Sequence, residues 1–421
     1  MTDLFNPLPD ENRTILDRLP GLIDKVFPLP ERYRVGLPRD VAELSRLLTS
    51  GRPERGASYL GKPALLSAYL RYFLPWNVYR LSRLFTSLPL DLKPNDTIND
   101  LGAGPLTLTA ALWISRPELR NVPLEFRCID RTQTVLNAGK KFFAGLTAGT
   151  DCPWIIKTFR GELISSGSRR NGGLSVEIRG KPAALSSAIN VYNELFWGFS
   201  PMDTDELERF TEGQVRLLSA LTGSTGSILV VEPGIPRSGE FIALLRYLLM
   251  EEGRNPVAPC THTGPCPMPG GRTESRHQTG GKARWCHFAF DTEDAPKELH
   301  ALSAAARIPK ERAVLSFLLA GPLSPQKQEA RKAPEKHEKL RVISDVFPVG
   351  DGKDGGKNPG AYSWGRYGCG EHGLVLVAGS RATLEETPSG ALEELPLVNG
   401  SKDAKSGALM AVKNEKPGRS R

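Results

Sequence analysis

Two groups of residues in this 421-residue chain have types and spacings that can do chemistry. The first is Asp100-Leu101-Gly102-Ala103-Gly104, inside the run Thr97 to Leu106. It reads as a strand ending in a carboxylate, then a glycine turn, then a helix opening. Two glycines let a ligand touch backbone that side chains would otherwise shield, and the helix start presents unpaired N–H groups. Asp100 stands where a carboxylate accepts from an amino or ammonium group rather than from a phosphate. A second strand, Leu124 to Ile129, ends in Asp130, the position that holds ribose hydroxyls in α/β nucleotide sites. The third glycine of a dinucleotide fingerprint is missing, because position 107 is Thr107. The expected ligand is therefore S-adenosylmethionine rather than NAD, held by Asp100, Gly102, Ala103, Gly104 and Asp130. Asn193 and Glu194, after the fourth strand, either contact that ligand or cap the next helix.

The second group is a set of cysteines. Six are present. Cys128 lies inside a strand and Cys152 beside Pro153, and both read as structural. Cys260 and Cys266 flank Thr-His-Thr-Gly-Pro, Cys286 follows Trp285, and Cys369 sits between Gly368 and Gly370. Flanking glycine and proline expose sulfur, as a metal site needs. Four thiolates suit either a [4Fe–4S] cluster or a tetrahedral zinc, with His262 and His287 as substitute ligands. No C-x2-C pair occurs, which favours the cluster over zinc; free surface thiols are the remaining alternative.

The elements that must position these residues alternate between strand and helix. Strands are expected at 97–100, 124–129, 154–159, 184–190 and 227–232, with helices starting near Leu106, Thr132 and Thr204. That alternation predicts an α/β chain with a doubly wound parallel sheet and ligands at the carboxyl ends of its strands. Five segments follow. Residues 1–90 form an N-terminal helical segment, and 91–250 the sheet core. Residues 251–312 are a polar, cysteine-bearing insertion, and 313–380 supply strands that complete the sheet together with the fourth cysteine. Residues 381–421 are expected to be a disordered basic tail with few large apolar residues. Arg71, Tyr79, Arg80 and Arg83 give the helical block at 59–88 a basic, aromatic character, suited to an RNA-facing surface or to a helix covering a sheet edge with solvated arginines.

Composition narrows the partners. The net charge of +8 and a pI near 9.1 favour anionic partners such as nucleic acid. No apolar run is long enough for a transmembrane helix, so no membrane is expected. The first residues carry Asp3, Asp10 and Glu11, unlike a transit peptide, and a reducing bacterial cytoplasm is the expected compartment. A monomer is favoured.

The glycine turn, Asn193-Glu194-Leu195, Glu232-Pro233-Gly234, Cys260-x5-Cys266-Pro267, Trp285-Cys286-His287-Phe288 and Cys369 together resemble the family of methyltransferase-like small-ribosomal-subunit proteins of bacteria and mitochondria. The resemblance spans roughly residues 55–380. It implies a class I S-adenosylmethionine-dependent methyltransferase fold (Rossmann-like) and association with the small ribosomal subunit and its rRNA. It also implies a [4Fe–4S] cluster on Cys260, Cys266, Cys286 and Cys369. The chain departs from the family where Thr261 precedes His262, and beyond residue 380. Base-amino methylases often carry an Asn/Asp-Pro-Pro-aromatic loop after the fourth strand; this chain has Asn193-Glu194-Leu195-Phe196, without prolines. No catalytic residue can be named. The expected function is an rRNA methyltransferase, with a non-catalytic ribosome assembly factor as the alternative and a zinc-dependent RNA-binding module as a third class.

Overall fold

The stretches at 96–101, 124–130, 155–160, 185–189 and 227–233 are too short for typical helices and are bounded by turn residues, and they pair as strands. The computed structural model describes residues 2–51, 59–164, 173–198, 204–269, 285–324, 337–349, 363–403 and 406–413. In it β1 (Asp96–Leu101), β2 (Leu124–Asp130), β3 (Ile155–Arg160), β4 (Leu185–Ile189) and β5 (Ser227–Pro233) lie side by side and parallel. Three further strands, β6 (Arg254–Ala258), β7 (Phe288–Asp291) and β8 (Arg312–Leu323), extend the sheet. The order is β3-β2-β1-β4-β5-β8-β6, with β7 also paired to β8. Strand β8 runs antiparallel to its neighbours. This is the doubly wound α/β fold that the sequence led us to expect. Chain direction across the sheet reverses beside β1, so a crevice opens at the carboxyl ends of β1 and β4.

Helices cover both faces. Helix α1 (Leu74–Phe85) packs on α2 (Thr107–Ser115), and every residue of α2 is buried. A helix whose apolar residues point to every side demands such enclosure, and its hydroxyls at Thr107, Thr109 and Ser115 are buried with them. Helix α3 (Gln133–Leu146) follows β2, α4 (Thr204–Thr222) follows β4, and α5 (Pro236–Glu251) follows β5. Short helices at Asp10–Asp17, Leu19–Val26, Glu31–Arg34, Leu37–Leu48 and Pro63–Ala68 precede α1, with a π-helical turn at Tyr69–Phe73.

The arginines of this helical block form no surface for RNA, nor are they solvated. Arg83 is buried and grips Asp294 with both oxygens at 2.8 and 2.9 Å, while its other nitrogens donate to the Phe5 carbonyl. Arg71 donates to Asp24, Ser67 and the Phe27 carbonyl. Arg80 donates to the Val314 carbonyl and to Asn190. Their long apolar stems reach inward and the guanidinium forks bind carbonyls and carboxylates, with Arg34 also donating to Asp24 and Tyr79 to Asp294.

Two segment boundaries differ from expectation. The stretch 251–312 is no separate insertion, since it supplies edge strands β6 and β7 and the helix Lys297–Ala305. Of the strands expected to complete the sheet, only β8 does so. The others, β9 (His337–Val342), β10 (Trp364–Gly370) and β11 (Gly373–Gly379), join β12 (Leu392–Lys402) and β13 (Leu409–Val412) in a second sheet. Its ladder runs β9-β10-β11-β13-β12 and back to β9, a closed ring in which only β11 and β13 are parallel. With helix α6 (Arg381–Glu385) between the third and fourth strands, this is the arrangement of an OB fold. Much of the expected disordered tail is therefore structured: 381–385, 392–402 and 409–412 belong to the barrel. Period-two alternation explains how so few large residues suffice. Leu340, Val375, Val377, Leu384 and Ala411 fill the barrel, while Leu374 and Leu376 face outward into the main core. Residues 325–336, 350–362 and the last residues from 414 lie outside the described residues. Among the described residues no helix is long and apolar enough to cross a membrane.

Candidate functional site

A strand that ends in Asp100-Leu101-Gly102 must turn sharply to start α2, and the backbone does so with three left-handed residues, Gly102 (φ 70°), Gly104 (φ 53°) and Leu106 (φ 62°). Gly102 also has no room for a side chain: a Cβ would lie 2.1 Å from Cγ2 of Val191. A third glycine serves the same turn from α3. A Cβ on Gly139 would lie 2.6 Å from the Pro105 carbonyl carbon, so α3 can approach the turn only as glycine.

Above the turn opens a cleft of about 140 Å³ at the carboxyl ends of β1 to β4. Gly102 and Gly104 form its floor; Ile129, Asp130 and Thr132, Gly161 and Glu162, and Asn190, Val191 and Glu194 form its walls. Tyr59, Leu60 and Tyr69 close it from the N-terminal helices. Asp130 accepts from the Gly104 N–H at 3.0 Å and the Thr132 N–H at 2.8 Å, which leaves one lone pair on each oxygen. Burial pushes its pKa up, against those two bonds. Asp100 is fully buried; Ser187 donates to Oδ1 at 3.3 Å, and Oδ2 has no hydrogen-bond partner. Burial raises its pKa to about 8. Asp100 is not among the residues that line the cleft, so the fit to S-adenosylmethionine rests on Gly102, Gly104 and Asp130.

Asn193 does not face the cleft. It is buried, and its Nδ2 donates to Glu232 at 2.8 Å. Glu232, at the end of β5, also accepts from the backbone N–H groups of Val191, Tyr192 and Asn193. Burial lifts its pKa to about 7 even though four donors pull the other way. This carboxylate fixes the loop after β4, and the cleft wall is made by its neighbours Asn190, Val191 and Glu194. Glu194 faces Arg131 at 3.8 Å.

The four cysteines, 109 positions apart from first to last, share one small cavity of about 30 Å³ with His262, Met268, Arg246 and Arg341. Cys260 and Cys266 follow β6, Cys286 precedes β7, and Cys369 comes from barrel strand β10. The cavity thus lies at the seam of main sheet and barrel, so an occupant would join the barrel, not an insertion, to the sheet. Burial raises the Cys266 thiol to about 11 and lifts Cys286 and Cys369 as well, each further raised by its neighbouring sulfurs. Nε of Arg246 donates to Cys260 Sγ at 3.2 Å, and Nε2 of His262 lies 3.6 Å from Cys369 Sγ. His287 is stacked on Trp285 and bonded to its carbonyl, outside the cavity lining. Cys128 and Cys152 are free and lie apart from it. Among the described residues no group of three or more His, Cys, Asp or Glu side chains is set to hold a single metal ion.

Sequence reasoning missed Tyr69, Arg246 and Arg341. Of these Arg246 carried a sequence signal, as a lone charge in the apolar run Phe241–Leu249, while Tyr69 is marked only in the structure, where it opens a π-helical turn.

Solved structures similar to this chain are methyltransferases at low identity. One is a Listeria monocytogenes protein assigned to the class I S-adenosylmethionine-dependent methyltransferases, at 10% identity, covering 76% of this chain and 90% of that one, TM-score 0.31. Another is an S-adenosylmethionine-dependent methyltransferase of Geobacter sulfurreducens in complex with S-adenosyl-L-homocysteine, at 14% identity, covering 59% and 91%, TM-score 0.30. A Pyrococcus furiosus methyltransferase matches at 8% identity over 44% and 78%, TM-score 0.29. No curated protein matches the chain. Residues 203–346, from α4 through β8 and β9, match the model of the family described as mitochondrial small ribosomal subunit Rsm22.

Proposed function

We propose that this chain binds S-adenosylmethionine in the cleft above Gly102 and Gly104, carries a [4Fe–4S] cluster on Cys260, Cys266, Cys286 and Cys369, and acts on the rRNA of the small ribosomal subunit as a methyltransferase. The cleft carries the reading: it sits at the switch point of the sheet, over a turn that needs glycine, with Asp130 at the end of the second strand. The matched family, by its description, supports the small subunit as partner, and the net charge of +8 suits rRNA phosphates. A reducing compartment, the bacterial cytoplasm, suits six free cysteines.

When bound, S-adenosylmethionine supplies a methyl group open to in-line displacement, so the protein's task is positioning. Gly102 and Gly104 admit the ligand to the backbone. Asp130 keeps one lone pair per oxygen for ribose hydroxyls. Glu232 holds the loop that forms the wall, and Tyr59, Leu60 and Tyr69 keep water from one side. The donor set of the cysteine cavity suits a cluster: four thiols, with two guanidinium groups beside them.

A second reading, a non-catalytic assembly factor with the same ligands, is favoured by Asn193, whose amide is spent on Glu232 instead of facing a substrate base. Methyl transfer from labelled donor to immature small-subunit particles separates the two. Transfer that is lost in Gly102→Arg supports the enzyme; donor binding without transfer supports the factor; absence of donor binding defeats both. For the metal, anaerobic purification should yield brown protein with about four irons and matching sulfide per chain. Colourless protein with one zinc refutes the cluster.

A further inference from the structure

Arg246 and Arg341 carry two positive charges to the four thiols, where among the described residues no carboxylate makes a contact ion pair with either and the Asp3 charge acts on Arg341 only through space. Both are buried. Arg246 projects from α5 between apolar neighbours. Its Nε donates to Cys260 Sγ at 3.2 Å, and its other nitrogens reach the carbonyls of His262 at 3.1 Å and Gly264 at 2.8 Å. Arg341, on β9, donates to the carbonyls of Pro259, Thr2 and Gly390. Carbonyl oxygens satisfy N–H groups but supply no net charge. Neither guanidinium pairs with a carboxylate among the described residues. An uncompensated buried cation is costly, and two in one cavity more so.

Four neutral thiols would leave that cost in place. Four thiolates around a dicationic iron–sulfur core form a dianion, and the two guanidinium groups then bring the site to neutrality. We propose that Arg246, together with Arg341, is the built-in counter-charge of the cavity's occupant, and that Arg246 holds up the reduction potential of a cluster bound there through its charge and its hydrogen bond to the Cys260 sulfur. This inference rests on the cluster reading. Reduction adds one electron and so one negative charge to the cluster, and a nearby cation and a sulfur-directed N–H both stabilise that added charge. Arg246 is a positioning and tuning residue; the sulfurs are the ligands.

The test uses the full chain, anaerobically reconstituted with iron and sulfide, and a redox titration followed by electron paramagnetic resonance. Arg246→Gln should lower the reduction equilibrium constant at least tenfold, about 59 mV for a one-electron couple. Arg246→Lys keeps the charge but loses the fork, and should fall between the two. A fully loaded Arg246→Gln with the wild-type potential overturns the proposal, since a residue that only staples the Cys260–Gly264 loop would not move it. If Arg246→Gln takes up no iron, loading of Arg246→Lys decides: uptake restored by lysine supports the counter-charge, and none in either variant overturns it. A wild-type chain that takes up no iron defeats the cluster reading and this inference with it, a result distinct from a loaded wild type whose variant is unmoved.

Discussion

Replacing Gly102 with alanine puts two penalties on one atom. The backbone there has φ 70°, a conformation that costs an L-residue roughly 1–2 kcal/mol. The new Cβ would also lie 2.1 Å from Cγ2 and 3.2 Å from Cγ1 of Val191. Val191 cannot simply swing away, because its N–H is held at 3.1 Å by Glu232. Overpacking of that kind costs roughly 1–3 kcal/mol, so Gly102→Ala should cost roughly 2–5 kcal/mol in all. Gly104 is the control. Its φ is 53°, but its Cβ would meet nothing closer than 4.0 Å, so Gly104→Ala should cost only the conformational part, roughly 1–2 kcal/mol. Removing the obstacle should help: in Gly102→Ala/Val191→Ala the two changes should couple favourably by roughly 1–3 kcal/mol. Urea unfolding of the full chain measures the stabilities, and calorimetric titration with S-adenosylmethionine measures the cleft. Donor affinity should fall most in Gly102→Ala and recover in part in the double variant. Equal costs at Gly102 and Gly104, with strict additivity at Val191, would refute the close approach as the reason for glycine.

Other outcomes follow from buried charges. Because burial raises Asp100 from the ordinary 3.8 to about 8, the folded chain binds a proton there that the unfolded chain releases; stability should be fully present below 3.8 and drain away as pH climbs to about 8. Urea midpoints across that window should fall, and Asp100→Asn should flatten the slope. Glu232→Gln places an amide NH2 among four donors, leaving N–H groups of the 191–193 loop unsatisfied at roughly 1–3 kcal/mol; hydrogen exchange at those amides should rise by an order of magnitude or more, and unchanged protection would show that the carboxylate does not hold the loop. Arg83→Ala strands Asp294 and the Phe5 carbonyl and should cost roughly 3–5 kcal/mol. Limited proteolysis should then cut near Phe5 first, whereas a wild-type digestion pattern counts against the pin.

The periodicity of the chain determined the doubly wound sheet on its own. Short apolar runs closed by turn residues can only be strands, and their ends fall within one or two residues of the expected positions at β1 to β5. The glycine turn was legible for the same reason: Gly102 and Gly104 mark a backbone that other residues cannot follow. What the sequence could not disclose was who meets whom across long separations. Arg71, Arg80 and Arg83 have a composition suited to a surface, and only packing turned their stems inward to Asp24, Val314 and Asp294. Asn193 has a type suited to ligand contact, but Glu232 lies within 2.8 Å of it because β4 and β5 are neighbours, and a buried carboxylate outcompetes an open cleft for a donor. The barrel was hidden because its strands alternate small with large residues and its apolar count is low, which is also what disorder looks like along a chain. Its closure brings Cys369 to Cys260, Cys266 and Cys286, and brings Arg341 with it. Residue types announced four thiols; the joining of two sheets decided that they share a cavity with two buried cations, because charge balance and burial are properties of a volume and not of a segment.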